Sequence, residues 1–336
     1  MKQRLYWLDV MKGSVIILVV LGHSLNSLKL MSHPINIWIH QFHMPFFFIL
    51  SGFLALHTLK SPFLINLKKK IITLIIPFIT CGSIYSLATS HFHDYIFGIS
   101  HNGYWFLISL FTCWVIFLSL SATLERVYIW KFLVTKIIVL ILPFFLGNLL
   151  MSLLPEYISN MFSFPLTFAH YRFFIFGYFI GYFYNNLKYK NTVKKIISGK
   201  RLFAISFLAF IGVTLGILTN ENFLSYLPPT IWSILLCCSL FIILYYSSNF
   251  ISMKILELLN YIGRNSLAIY VLHVFFVYLF PISEVSLISS GLQFLIGIGI
   301  TTISIISSLG LAAPIKSNTI LLFLLLGQKT KNITNK

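Results

Sequence analysis

The feature that most constrains this chain is a succession of apolar runs, each long enough to cross a membrane as a helix. A helix needs roughly 17–25 apolar residues to span the hydrocarbon core of a bilayer. Ten such runs lie at about 9–29, 35–57, 71–89, 104–120, 134–151, 166–185, 202–219, 230–247, 263–281 and 287–311. A final run, 320–326, is too short to span and is expected to lie in the membrane interface. The sequence therefore predicts an all-α, polytopic integral membrane protein with about ten transmembrane helices.

Composition agrees with this prediction, because only 9% of the 336 residues are charged and 58% are hydrophobic. A soluble domain carries roughly 25% charged residues. A soluble globular enzyme and a disordered chain are therefore both excluded. The first apolar run is also too long for a cleavable signal peptide. The cysteines lie inside apolar runs without metal-ligand spacing, so we expect buried thiols and no metal site.

The formal net charge of +17 is explained by topology. With a cytoplasmic N-terminus and ten alternating helices, all but Lys29 and Arg172 of the 24 Lys and Arg residues fall in cytoplasmic segments. Cytoplasmic loops of membrane proteins collect Lys and Arg in this way. We therefore expect both termini in the cytoplasm, a multi-pass protein of the cytoplasmic (inner) membrane, and no nucleic-acid partner. The chain is predicted to be one integral membrane domain, 1–336, with 312–336 as a short cytoplasmic or interfacial tail.

The first helix carries three ionisable residues at membrane depth, where such groups are costly and usually functional. Asp9 and Lys12 are three residues apart and can pair on one helix face. Lys12 and His23 are eleven apart, which is only about 20° from three full turns, with His23 roughly 16 Å further along the axis. A cation at the cytoplasmic end and an imidazole in the outer half of the bilayer therefore share one face.

The second helix runs back and brings His43 to a similar depth, so His23 and His43 are expected to meet in one buried cavity. Histidine is the natural proton acceptor near neutral pH. Ser51 adds a hydroxyl on the same helix, although close helix packing is the alternative explanation for a small residue there. His40 and His57 lie nearer the ends of this helix and are expected to be interfacial.

Five segments carry a resemblance to a known family. The strings LDVMKGSVIILVVLGHS, FHMPFFFILSGFLA, NGYWFLISLF, FFIFGYFIGYFY and IGRNSLAIYVLH occur in this order over roughly residues 5–275. Together they resemble the membrane-bound acyltransferase family 3, which includes O-antigen acetylases, nodulation-factor acetylases and fucose 4-O-acetylase-like proteins. The resemblance implies acyl transfer from a cytoplasmic acyl-coenzyme A, usually acetyl-CoA, to a sugar hydroxyl on a surface glycan or a lipid-linked precursor.

The resemblance also implies roles for residues of the first two helices. The family's basic residue, ten intervening positions and histidine fall on Lys12 and His23, and its second-helix histidine falls on His43. Many members carry Arg-x-x-Arg in the loop after the second helix, where this chain has Lys68, Lys69 and Lys70. The resemblance therefore implies only that this loop is basic, and it assigns the role of the family's arginines to no particular lysine.

The expected chemistry places the donor at the cytoplasmic end of the first helix. Lys12, Lys68, Lys69 and Lys70 are the candidate acyl-CoA-binding residues, since ammonium groups bind phosphate through charge. The three consecutive lysines are equally well explained as a topology signal. His23 would take the proton of the acceptor hydroxyl, or would carry the acyl group covalently, and the sequence does not separate these routes. His23, His43 and Asp9 are the candidate catalytic residues, and Asp9 is expected to orient Lys12.

Further polar residues are candidates for lining the acceptor cavity. They are Ser51, Trp105, Asn265, Tyr270, His273 and Arg172. Trp105 is expected either to stack on a sugar ring or to belong to the aromatic belt of the membrane. Arg172 requires an anionic partner, for which Glu156 is a candidate. A metal site formed by the histidines of the loop 91–101 is conceivable, but solvated loop residues are favoured.

Two function classes follow from these residues. The first is a membrane O-acyltransferase, expected to be an O-acetyltransferase, whose partners are membrane lipid, acyl-CoA and a glycan or lipid-linked sugar. The second is a transporter or flippase, in which the same intramembrane groups would form a proton relay or bind an anionic substrate. The sequence lacks paired helix-breaking segments in two related halves, which favours the enzyme. A non-catalytic scaffold would leave the Lys12–His23 face unexplained.

Overall fold

The computed structural model describes residues 5–125, 133–185, 199–220, 222–247, 250–279 and 289–328. Within these ranges the protein is helical and contains no β-strand, which confirms the prediction of an all-α membrane protein. Much of the basic loop predicted after the sixth helix lies outside the described residues, including Lys188, Lys190, Lys194 and Lys195. Arg126, Lys131, Glu221, Glu284, Lys329, Lys331 and Lys336 lie outside them too.

Sixteen α-helices are defined among the described residues. They are α1 Tyr6–Ser27, α2 Pro34–Phe53, α3 Ala55–Thr58, α4 Phe63–Lys70, α5 Ile76–Ala88, α6 Phe92–Phe97, α7 Trp105–Glu125, α8 Leu133–Leu153, α9 Glu156–Met161, α10 Phe164–Asn185, α11 Lys200–Thr219, α12 Pro229–Ser247, α13 Met253–Arg264, α14 Ser266–Val277, α15 Ser290–Ser317 and α16 Thr319–Leu326. A π-helical turn, Ile71–Ile75, joins α4 to α5, and 3-10 turns lie at His101–Gly103 and Phe223–Tyr226.

Eight helical segments of the described chain are long and apolar enough to cross a membrane. They are Tyr6–Ser27, Pro34–Thr58, Phe63–Ala88, Trp105–Thr123, Val134–Leu153, Lys200–Thr219, Pro229–Ser247 and Gly291–Ser317. The sixth predicted span is helix α10, whose His170, Arg172 and tyrosines lower its hydropathy. The ninth is interrupted at Asn265, which leaves α14 with 12 residues, about 18 Å against a core of about 30 Å. The count of ten spans therefore stays a prediction.

The chain packs as two compact units, of which the first comprises residues 1–50 and 180–309. Its centre is α1, which packs against α13 and α14. Two glycines allow α1 and α13 to cross backbone to backbone. A side chain on Gly13 would collide with the carbonyl of Leu259, and one on Gly263 would collide with the carbonyl of Asp9. This close crossing brings the main chain of α13 against that of α1 at Asp9 and Gly13.

The break between α13 and α14 has a local cause. Asn265 has φ −102° and ψ 8°, which is outside the helical region, and its side-chain amide donates to the carbonyl of Tyr261 at 2.8 Å. The amide therefore satisfies a carbonyl that the interrupted helix leaves open. α14 is almost entirely buried and presents His273 towards α1. Elsewhere in this unit, the indole of Trp38 donates to the hydroxyl of Thr214 at 2.9 Å and ties α2 to α11.

The second unit comprises residues 51–179 and 310–336. In it α4, the π-helical turn and α7 pack together, and α16 packs along α5. Asn318 caps the first turn of α16, and Gly327 ends the helix in the left-handed region with φ 58°. A side chain on Gly327 would collide with the carbonyl of Ile72. The segment expected to lie in the interface is thus held against α5, and its side of the membrane stays a prediction.

Candidate functional site

The pairing predicted for the start of α1 is present. The ammonium of Lys12 lies 3.7 Å from a carboxylate oxygen of Asp9, one helical turn away. The Asp9 side chain is only 3% exposed and that of Lys12 is 24% exposed. The main chain of α13 at Gly263 packs directly against the main chain of α1 at Asp9. The paired carboxylate holds the Lys12 ammonium at the end of α1 with part of its surface open to a ligand.

His23 lies on α1 beside a histidine of α14. The ring centroids of His23 and His273 are 5.1 Å apart, with the rings tilted by 59°. His273 is fully buried, and its Nδ1 lies 3.0 Å and 2.8 Å from the carbonyls of Ile269 and Tyr270. Because a carbonyl only accepts hydrogen bonds, Nδ1 carries the proton and Nε2 carries the lone pair. This Nε2 is buried without a hydrogen-bond partner among the described residues.

Two further histidines lie on α2, which packs beside α1 at Gly22. His43 is 5% exposed, its Nδ1 donates to the carbonyl of Ile39 at 2.8 Å, and its ring lies 4.9 Å from that of His40. His40 lies beside α1 at Gly22, where an added Cβ would be 3.4 Å from the imidazole. The sequence indicated His43 but assigned His40 to the interface, although their three-residue spacing places both on one helix face.

The other predicted residues of the first unit separate into two groups. Tyr270 is 5% exposed and its ring lies 6.0 Å from that of His273, so it belongs to the histidine group. Asn265 lies two turns away at the break between α13 and α14, where its amide is bonded to Tyr261. Asn265 therefore has an evident structural role in addition to the cavity role expected from the sequence.

In the second unit the three consecutive lysines differ from one another. Lys68 and Lys69 are exposed, whereas Lys70 is half-buried with its ammonium 3.4 Å from the ring centre of Trp114. The indole nitrogen of Trp114 donates to the hydroxyl of Ser51 at 3.1 Å. A cation over an indole face is attracted by the negative charge of the ring. Lys70 is consequently held in a defined position, which a topology signal alone does not require.

Lys68 and Lys69 line a pocket of about 610 Å³. Its other lining residues are Ile65, Ile72, Thr73, Gly327 and Gln328. The π-helical turn that follows Lys70 shifts the register of the helix at this point, and such turns are frequent at functional sites. The pocket combines two ammonium groups with apolar walls, which suits a ligand with an anionic head and a less polar arm.

Trp105, His170 and Arg172 lie together in the second unit. The rings of Trp105 and His170 are 5.1 Å apart. The Arg172 guanidinium carbon lies 5.5 Å and 5.1 Å from the ring centres of Phe144 and Phe173. Its Nε is buried without a hydrogen bond within the described ranges, and Glu156 is not its ion-pair partner. Within the described part of the chain, two aromatic rings lie against the guanidinium in place of the expected anionic partner.

The loop histidines are not arranged around a common point. His101 is buried between α6 and α7, where its Nδ1 donates to the carbonyl of Tyr95 at 2.6 Å, and burial lowers its pKa. His93 is exposed and lies 3.7 Å from Asp94. Among the described residues, no group of three or more histidine, cysteine or acidic side chains could hold a metal ion. His101 is part of the packing of this loop.

Comparison with known proteins gives one match that covers most of the chain. A family model described as an acyltransferase domain matches residues 5–315. Searches of curated proteins and of solved structures found no match. The matched range includes every residue of the site described above except the last lining residues of the Lys68–Lys69 pocket.

Proposed function

We propose that this chain, which belongs to the acyltransferase 3 family of membrane proteins, catalyses O-acyl transfer from cytoplasmic acyl-CoA to a sugar. The donor is acetyl-CoA, and the acceptor is a hydroxyl of an extracytoplasmic or lipid-linked glycan. The protein acts in the cytoplasmic (inner) membrane, and the reaction is O-acetylation. Family membership supports acyl transfer, and the arrangement of charged and imidazole groups supports this choice of donor and acceptor.

The observation that carries the proposal is the histidine group around His23. An imidazole within an apolar span, with the ring of His273 at 5.1 Å, is a suitable acceptor for a hydroxyl proton. Ionisable side chains at membrane depth are energetically costly, and those that occur there are usually functional. An acceptor hydroxyl that enters near His40, the exposed member of the group, would reach His23 without passing along the whole of α1.

The donor is held at the other end of α1. Lys12 is positioned by Asp9, and it lies eleven residues from His23, roughly 16 Å along the helix axis. A pantetheine arm can extend over that distance, so the phosphates of coenzyme A can lie near Lys12 while the thioester lies near His23. In the second unit, Lys68, Lys69 and Lys70 stay candidate donor-binding residues, because ammonium groups bind phosphate through charge. Lys70 contributes through a side chain that Trp114 already orders.

The bonds and protons of the proposed transfer balance without a cofactor. The acceptor hydroxyl gives its proton to His23 while its oxygen attacks the thioester carbonyl. The carbon–sulfur bond then breaks, and the coenzyme A thiolate takes the proton from His23. In the covalent variant, the lone pair of His23 attacks the thioester carbonyl and the coenzyme A thiolate leaves. The acceptor hydroxyl then attacks the acyl-imidazolium, its proton passes to the thiolate, and neutral His23 is regenerated. His43 contributes an additional buried imidazole to either route. In the first unit, Asn265, Tyr270 and His273 are proposed to line the acceptor cavity; the same role for Ser51, Trp105 and Arg172 of the second unit stays a prediction from the sequence.

The test uses inverted membrane vesicles, which present their cytoplasmic face to added [14C]acetyl-CoA. Vesicles from cells that express the protein should transfer label into a glycan or glycolipid fraction, and mild base should release it as acetate, as expected of an O-ester. His23→Ala should lower the rate by roughly 10²–10⁴-fold. His91→Ala, a change of an exposed loop histidine, is the matched control and should retain the rate.

Each alternative result has a defined meaning. Full transfer by His23→Ala would overturn the role of His23. Transfer that does not depend on the expressed protein would overturn the proposed donor and acceptor. Movement of a glycolipid across the membrane without acetyl-CoA would instead support the transporter.

A further inference from the structure

His273 has an unusual environment for a fully buried histidine. Its Nδ1 is committed to the carbonyls of Ile269 and Tyr270, and its Nε2 lone pair has no partner within the described part of the chain. A buried acceptor without a partner is unfavourable, because it has lost its hydrogen bonds to water and gained none in the protein. Such groups in native structures call for an explanation, and a catalytic role is one of the recognised ones.

The neighbour of that lone pair is His23. Two imidazoles joined by an N–H···N bond of about 2.9 Å have centroids about 5.1 Å apart, because each ring nitrogen lies about 1.1 Å from its ring centre. The observed separation is 5.1 Å. His23 makes no hydrogen bond to another described residue, so rotation of its ring about the side-chain torsions is not opposed by an existing bond. Catalytic hydrogen bonds are often formed only when substrate binds.

We propose that His273 is the positioning residue for His23. Its Nε2 accepts the N–H of one His23 nitrogen, which leaves the lone pair of the other nitrogen directed at the acceptor hydroxyl. This inference rests on the proposed acyl transfer and adds a histidine–histidine pair to it. His273 would therefore act as the third member of a catalytic triad does, because it would fix the tautomer and the orientation of the base, His23.

The two rings can keep this arrangement because they differ in the hydrogen bonds that fix them. His273 is fixed by two carbonyls of its own helix and cannot present Nδ1 to His23. His23 is the partner whose protonation state changes during the reaction. When His23 has taken the hydroxyl proton, its remaining N–H becomes a charge-assisted donor to His273 Nε2. The proton then passes to the leaving thiolate, so His273 itself is unchanged over the cycle.

The pair is tested with two substitutions of His273 and one control. His273→Leu removes both nitrogens at similar volume, whereas His273→Gln keeps an acceptor oxygen near the position of Nε2. Thr301→Val is the control, because Thr301 is buried near the same end of α1 and donates to the hydroxyl of Ser24 at 3.1 Å. It perturbs the packing there without touching the imidazoles.

In the vesicle assay, His273→Leu should lower kcat by roughly tenfold to a hundredfold while the KM for acetyl-CoA changes less than about twofold. His273→Gln should recover most of that loss, and Thr301→Val should stay near the wild-type rate. The proposal is overturned if His273→Leu keeps more than half of the wild-type kcat. It is equally overturned if the Gln and Leu variants lose the same activity, or if Thr301→Val loses as much.

A second measurement needs no turnover and separates this inference from the acyl transfer itself. Diethyl pyrocarbonate modifies neutral imidazole nitrogens, and peptide mass spectrometry gives the rate at His23. That rate should fall severalfold in His273→Leu and stay near wild type in His273→Gln, because only the former releases the lone pair of His23 from its orientation. Equal rates in all three proteins would overturn the pair even if wild-type vesicles transfer acetate. A reduced rate in His273→Leu would support the pair even if they do not.

Discussion

The crossing of α1 and α13 offers the most direct test of how packing positions the Asp9–Lys12 pair. In Gly263→Ala the new methyl group would meet the carbonyl oxygen of Asp9 and the backbone nitrogen of Gly13. Both are main-chain atoms of a helix and cannot rotate away. The helices must therefore separate, and this overpacking costs about 1–3 kcal/mol. The higher helix propensity of alanine offsets about 1 kcal/mol of this loss of stability.

The expected net loss of stability is therefore up to about 2 kcal/mol. For a chain of 336 residues, whose entropy of unfolding grows with length, each kcal/mol corresponds to about 1–2 °C in Tm. Thermal unfolding of the detergent-solubilised protein, followed by tryptophan fluorescence, would measure the decrease. Gly299→Ala is the matched control, because a Cβ there meets nothing within 4 Å, and its Tm should be unchanged or slightly raised. Equal Tm values for Gly263→Ala and Gly299→Ala would refute the reasoning.

Three further predictions concern the second unit. Trp114→Leu removes the ring beneath Lys70, so the KM for acetyl-CoA in the vesicle assay should rise severalfold; an unchanged KM would contradict a donor role for this lysine. Gly327→Ala introduces a side chain at φ 58° against the carbonyl of Ile72 and should cost about 1–3 kcal/mol, measured as a decrease in Tm. Burial lowers the pKa of His101, so the unfolded state binds its proton first and stability should fall as pH drops below about 6.5. His101→Asn should weaken that pH dependence of Tm, and an unaltered dependence would assign it to other groups.

The sequence determined the fold class and the local pairings. Apolar runs of membrane-spanning length need only composition and order to be recognised, because a helix satisfies its backbone within one segment. The contact between Asp9 and Lys12 also follows from helical spacing alone, at 3.7 Å in the structure. The same argument identified His23, His43 and His273 as candidates, since each is an ionisable group within an apolar run. Their catalytic roles stay predictions.

Only the tertiary structure decided which of these groups meet. His273 is 250 residues from His23 in the chain, and its contact with that ring depends on the break at Asn265 and on the glycine crossing of α1 and α13. The position of His40 near these histidines also depends on contacts between helices. Likewise, Lys68, Lys69 and Lys70 are equivalent in the sequence, yet only Lys70 lies over Trp114. The physical reason is that helix periodicity defines a face within one helix, whereas contacts between helices depend on the backbone distance that side-chain volume allows.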